Sequence, residues 1–132
     1  MPQPADIDLV AASLRADATD LRIYVEELAH KLQLSFPGLC TVRRSGLLGK
    51  GPVRAITVAL GDGRYELEHH NGSVATRRSS VVRGIALKSE ELGLDAWIES
   101  LASHVVEEAE RSERGRLALE NLLTGVPHEE AT

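Results

Sequence analysis

Three stretches of the chain hold residue types able to do chemistry. The first is SGLLGKGP, residues 45–52. It resembles a phosphate loop, but that motif needs four residues between its first glycine and the Gly-Lys pair, then Ser or Thr, then a helix. Here Gly46 and Gly49 enclose only Leu47 and Leu48, Gly51 follows Lys50, and Pro52 leads into an extended stretch. A glycine-rich hairpin loop is the expected reading. The second is His69-His70. Neighbours on a strand point to opposite faces and do not converge on one ion. His30, His104, His128 and Cys40 add no ligand spacing, so no metal is expected. The third is Cys40, the one cysteine, which excludes an internal disulfide. It sits at the start of an extended stretch and reads as a small core residue. No nucleophile elbow and no Cys–His pattern is present, so no catalytic residue and no cofactor is expected.

Two other groups invite a partner. Arg43-Arg44-Ser45 and Arg77-Arg78-Ser79 repeat an arginine pair, and Arg54, Arg64 and Arg83 fall on the same expected sheet. If helices cover one face, Arg43, Arg44, Arg54, Arg77, Arg78 and Arg83 are expected to offer a basic surface on the other, suited to an anionic partner. The competing reading is a solvated face balanced by Glu66 and Glu68. Near the C-terminus the ion-pair-rich stretch EEAERSERGR gives way to LALENLL. There Leu117, Leu119, Leu122 and Leu123 regain apolar surface and suggest a protein interface.

The elements that must position these residues follow from periodicity. Leu14, Ala18, Leu21, Val25, Leu28 and Leu32 alternate in steps of four and three, one stripe of a helix. That predicts a single helix starting near Asp6 or Asp8 and ending at Pro37-Gly38. The middle predicts an antiparallel meander of about four strands. Val53 to Leu60 alternates, and Gly61-Asp62-Gly63 and Asn71-Gly72 are hairpin turns. The stretch from Ser73 to Lys88 is expected to bend near Ser79-Ser80. A last helix is expected to start near Gly93 to Asp95 and run unbroken to about Leu123, roughly 29 residues or ~44 Å at 1.5 Å per residue. Gly115 is its expected kink. The fold class is thus α+β, a two-layer sandwich of N-terminal helix, meander and long C-terminal helix. One domain is expected over residues 6–124, between a disordered N-terminus (1–5) and a flexible tail (125–132).

Composition bounds the function. The chain has 132 residues, enough for one core, and 42% of them are apolar, which fits a globular protein. Aromatics number only Phe36, Trp97, Tyr24 and Tyr65, few for a protein that stacks bases. No apolar run approaches the ~20 residues of a membrane span, and no secretory signal is visible. With the lone cysteine, these point to the cytoplasm. The excess of arginine over lysine suggests a GC-rich, bacterial genome. Charge is uneven: residues 39–89 carry nine bases and three acids, while residues 90–132 carry eleven acids and three bases. The order of elements resembles that of small bacterial secretion chaperones and small dimeric nucleoid-associated proteins, in layout alone. The leading expectation is a non-enzymatic protein-binding adaptor or chaperone-like module, self-associating as a homodimer. The alternatives are a nucleic-acid binder using the arginines, and a ligand-binding protein or enzyme with a site between sheet and helices. No small-molecule substrate is identified.

Overall fold

The computed structural model describes residues 4–15 and 20–123. Two helices, five strands and two further helices follow in order: α1 (Pro4–Arg15), α2 (Leu21–Ser35), β1 (Cys40–Arg44), β2 (Val53–Leu60), β3 (Gly63–His70), β4 (Ser73–Val82), β5 (Ile85–Leu92), α3 (Leu94–Ala109) and α4 (Glu113–Leu123). The strands form one antiparallel sheet in chain order. The α+β class is as expected, with five strands rather than four.

The extra strand comes from a turn that the sequence hides. Val82 pairs with Ile85 across Arg83-Gly84, whose φ angles are 54° and 80°. Two consecutive positive φ values make the tight turn that suits a two-residue hairpin. The expected bend at Ser79-Ser80 is instead a register shift between Ser80 and Val81 within β4.

The expected first helix is two helices. Asp20 begins α2 by accepting the backbone N–H groups of Arg22 (2.8 Å) and Ile23 (3.4 Å). Tyr24 ties the pair together, its hydroxyl donating to the Leu14 carbonyl at 2.8 Å. The expected stripe residue Ala18 lies outside the described residues, as do both expected termini, 1–5 apart from the backbone of Pro4 and Ala5, and 125–132.

The expected continuous last helix is also two. Ser112 interrupts it, its hydroxyl accepting the Gly115 N–H at 3.0 Å as a cap for α4. Gly115 is therefore not a kink. It is buried where α4 crosses α3, and a Cβ there would lie 2.4 Å from the Glu108 carbonyl oxygen. The turn sends α4 back over its own chain, where Ala118, Leu119 and Leu122 join the core.

The register sets the faces of the sheet. Val42, Ile56, Leu67, Thr76 and Leu92 form one cross-strand row, and Cys40, Val58, Tyr65, Arg78 and Glu90 the next. Ile56, Val58, Tyr65 and Leu67 are fully buried, so this face meets the helices. Here α2 packs on β1 and β2, and α3 on β2, β4 and β5, while α1 and α4 pack chiefly on other helices. Trp97 of α3 is buried on this face and donates its indole N–H to the Arg77 carbonyl at 3.1 Å.

Candidate functional site

The arginines that look like one patch in the sequence divide between two faces. Arg43 and Arg77 lie on the open face with Arg64, in rows that also hold Glu66, Glu68 and Glu91. Arg77 meets Glu91 at 3.7 Å. Arg78 is on the helix-bearing face, beside Tyr65 and 3.9 Å from Glu90. Arg44 turns to Glu26 of α2 at 3.0 Å. The Val53 N–H also donates to that carboxylate. Burial opposes ionisation of Glu26, but this N–H and Arg44 outweigh it and hold the carboxyl below its ordinary value. Arg54 sits at the β1–β2 register shift, and Arg83 is in the β4–β5 turn. The physical reason is the strand period of two: adjacent arginines point opposite ways.

The four leucines near the C-terminus divide likewise. Leu119 and Leu122 are buried within the chain's own core, while Leu117 and Leu123 remain exposed. Cys40 is half-buried, and burial pushes its thiol up to about 11, which suits packing rather than reactivity. His69 is half-buried and His70 exposed, on opposite faces. The loop at residues 45–52 is a hairpin connection closed by the Gly51 N–H on the Ser45 carbonyl at 2.9 Å.

Two features remain that sequence patterning did not single out. The first is β5. It is one edge of the sheet, β1 being the other, and every residue from Ile85 to Glu91 is exposed. Beside it the β4–β5 hairpin leaves large apolar side chains in solvent: Val82 is 50% exposed, Ile85 63% and Leu87 65%. The hairpin overhangs its neighbour, since β3 pairs with β4 no further than Ser80. The missed signal was Arg-Gly between Val82 and Ile85. The polar run KSEEL then disguised the strand.

The second is a polar recess of about 380 Å³ between the sheet and α3, lined by Asp62, Tyr65, Arg78, Ser100, His104 and Arg111 among others. The Tyr65 hydroxyl lies 3.0 Å from His104 Nδ1 and 3.3 Å from the Ser100 carbonyl. Glu108 stands 3.8 Å from His104 Nε2, on the far side of the ring from Tyr65. Burial holds the His104 pKa below its ordinary value, against the pull of Glu108, Glu107 and Asp62. The Arg78 guanidinium lies 6.0 Å from the Tyr65 ring centre, and its Nε is buried without a hydrogen-bond partner among the described residues. Glycines make room for this cluster: a Cβ on Gly63 would lie 2.9 Å from the His104 ring, and one on Gly61 2.6 Å from the Glu108 carboxylate. Among the described residues no group of His, Cys, Asp or Glu is placed to hold a metal ion.

Comparison of the chain with family profiles, with characterised proteins and with solved structures finds no match. Among the described residues no helix is long and apolar enough to cross a membrane.

Proposed function

We propose that the chain is a non-enzymatic protein-binding module, an adaptor or chaperone-like protein, that binds by adding a strand to its sheet. The observation that carries this reading is β5: an edge strand exposed from Ile85 to Glu91, whose turn-proximal residues Ile85 and Leu87 are exposed apolar side chains, as is Val82 across the hairpin. Edge strands present unpaired N–H and C=O groups, and soluble proteins ordinarily blunt such edges. An edge left exposed, with an apolar end at Ile85 to Leu87, suits binding in the mode of strand addition. Lys88 is a weak guard here, with both acids beyond it. The arginine reading draws less support, because the open face alternates Arg with Glu.

The test uses the full chain as bait in extract from its own organism, beside Ile85→Lys/Leu87→Lys. Proteins held by the first and lost by the second, with the variant still folded by circular dichroism, support the reading. Equal retention by both overturns it.

A small-ligand site at the Tyr65–His104 recess is a second reading, favoured by the partnerless Arg78 Nε. It expects millimolar acetate or phosphate to raise the thermal midpoint, and Arg78→Gln to abolish the rise. No rise in either anion counts against it.

A further inference from the structure

We infer that the occupant of β5 is β5 of a second copy, paired antiparallel about a twofold axis through Ser89, so that two sheets join into one. This rests on β5 being the binding edge, and it names what sits there.

A twofold axis normal to the sheet keeps each residue on its own face. Facing residues must then share a face, which centres the register on a residue rather than between two. The sequence of β5, IALKSEEL, chooses among the centres. An axis at Glu90 or Glu91 sets that carboxylate against its own copy. An axis at Lys88 sets that ammonium against its own copy. An axis at Leu87 passes through the broken ladder, since Ser80 pairs with Lys88 and Val81 with Ala86, skipping Leu87.

An axis at Ser89 sets Lys88 of each copy opposite Glu90 of the other, giving two cross-strand ion pairs. Both side chains lie on the helix-bearing face, as the pairings Ser80–Lys88 and Arg78–Glu90 require. Ser89 then faces itself, and Leu87, the bulged residue, stands opposite Glu91. Opposite charges placed directly across a ladder stabilise it, while like charges destabilise it.

The same axis explains the overhanging hairpin. Beyond the Leu87 bulge it brings the overhanging hairpin of one copy toward Leu92 and Gly93 of the other, at the start of the second copy's α3. Val82 and Ile85 lie past the end of β3, and both are exposed. In the dimer they gain a neighbour.

Sedimentation velocity on the full chain, K88E, E90K and K88E/E90K tests this. The unaltered chain is expected to dimerise. Each single change turns two opposite pairs into two like pairs and should weaken the dimer about tenfold or more. The double change restores opposite charges and should recover it. Amide exchange should show the outward-facing N–H groups of β5 protected only at dimer-forming concentrations, those turned to β4 being protected in either state. Glu90 also meets Arg78, so K88E is the cleaner single variant.

A chain that stays monomeric at high concentration overturns the inference. So does a dimer indifferent to both single changes, or one that the double change fails to rescue. A monomer whose protein partners are still lost in the Ile85→Lys/Leu87→Lys variant removes the second copy and leaves the binding edge standing. A dimer and partner set that both survive every β5 change remove the inference and the edge reading together.

Discussion

A methyl group at residue 115 would lie 2.4 Å from the Glu108 carbonyl oxygen and 2.9 Å from the Ala109 nitrogen, both backbone atoms of α3. Neither neighbour can turn aside as a side chain would. Gly115→Ala should therefore destabilise the protein by about 1–3 kcal/mol, the usual cost of overpacking, although alanine favours a helix. A urea midpoint equal to that of the unaltered chain would contradict the crossing. His104 makes a prediction of another kind. Its pKa is lowered in the fold, chiefly by burial. On acidification the unfolded chain takes up this proton first, near its ordinary pKa of ~6.5. The unfolded state then binds more protons than the native one, so stability falls as pH drops below about 6.5 and levels off only beneath the folded pKa. His104→Gln should flatten that slope between pH 6.5 and the acid limb. A slope unchanged by the substitution would assign it elsewhere. No motif marks this histidine: it lies seven residues after buried Trp97, at the edge of the apolar stripe of α3, and the glycines at 61 and 63 leave room for its ring.

The elements that were legible are those whose signal is local. Asn71-Gly72 turns a hairpin with φ of 50° and 79°, as the dipeptide suggests, and β2 alternates as written. The error in the first helix has a cause in periodicity. The spacing of Leu14, Leu21, Val25 and Leu28 continues a single stripe across the gap between α1 and α2, because both helices bury their apolar sides in one core. Periodicity reports that shared core and is blind to a break within it. The breaks were written instead in caps, Asp20 and Ser112, short polar residues whose side chains satisfy a free N–H at a helix start. Asp20→Ala should cost about 1 kcal/mol by removing two accepted hydrogen bonds, read as a shift in the denaturation midpoint. No shift would mean that α2 starts without its cap. β5 failed for the opposite reason. An edge strand is held by backbone pairing to one neighbour, so KSEEL needs no buried alternation, and Arg83 carries a positive φ that usually falls to Asn or Gly.

At the scale of the whole chain, α4 decides whether the C-terminal leucines serve this molecule or another. Leu119 and Leu122 are buried, with Ala118 beside them and Gly115 at the crossing. The helix packs on α3, α1 and α2, and Ser13 of α1 donates its hydroxyl to the Leu122 carbonyl at 2.9 Å. Burying a leucine contributes about 1.5–3 kcal/mol. Two leucines therefore supply about 3–6 kcal/mol, a large part of the roughly 5–15 kcal/mol by which domains are stable. Loss of α4 also exposes the apolar surfaces of α1, α2 and α3 that it covers. A chain ending at Ser112 should thus lose most of its cooperative unfolding transition and bind a hydrophobic dye. Leu117→Ser/Leu123→Ser, which alters only the exposed pair, should change the unfolding midpoint little. Had these leucines formed an interface between chains, the outcomes would reverse: the shortened chain would stay folded as a monomer, and the surface pair would control association. Unfolding curves and sedimentation of the two variants separate the cases, and a shortened chain with an unchanged midpoint would refute the folding role of α4.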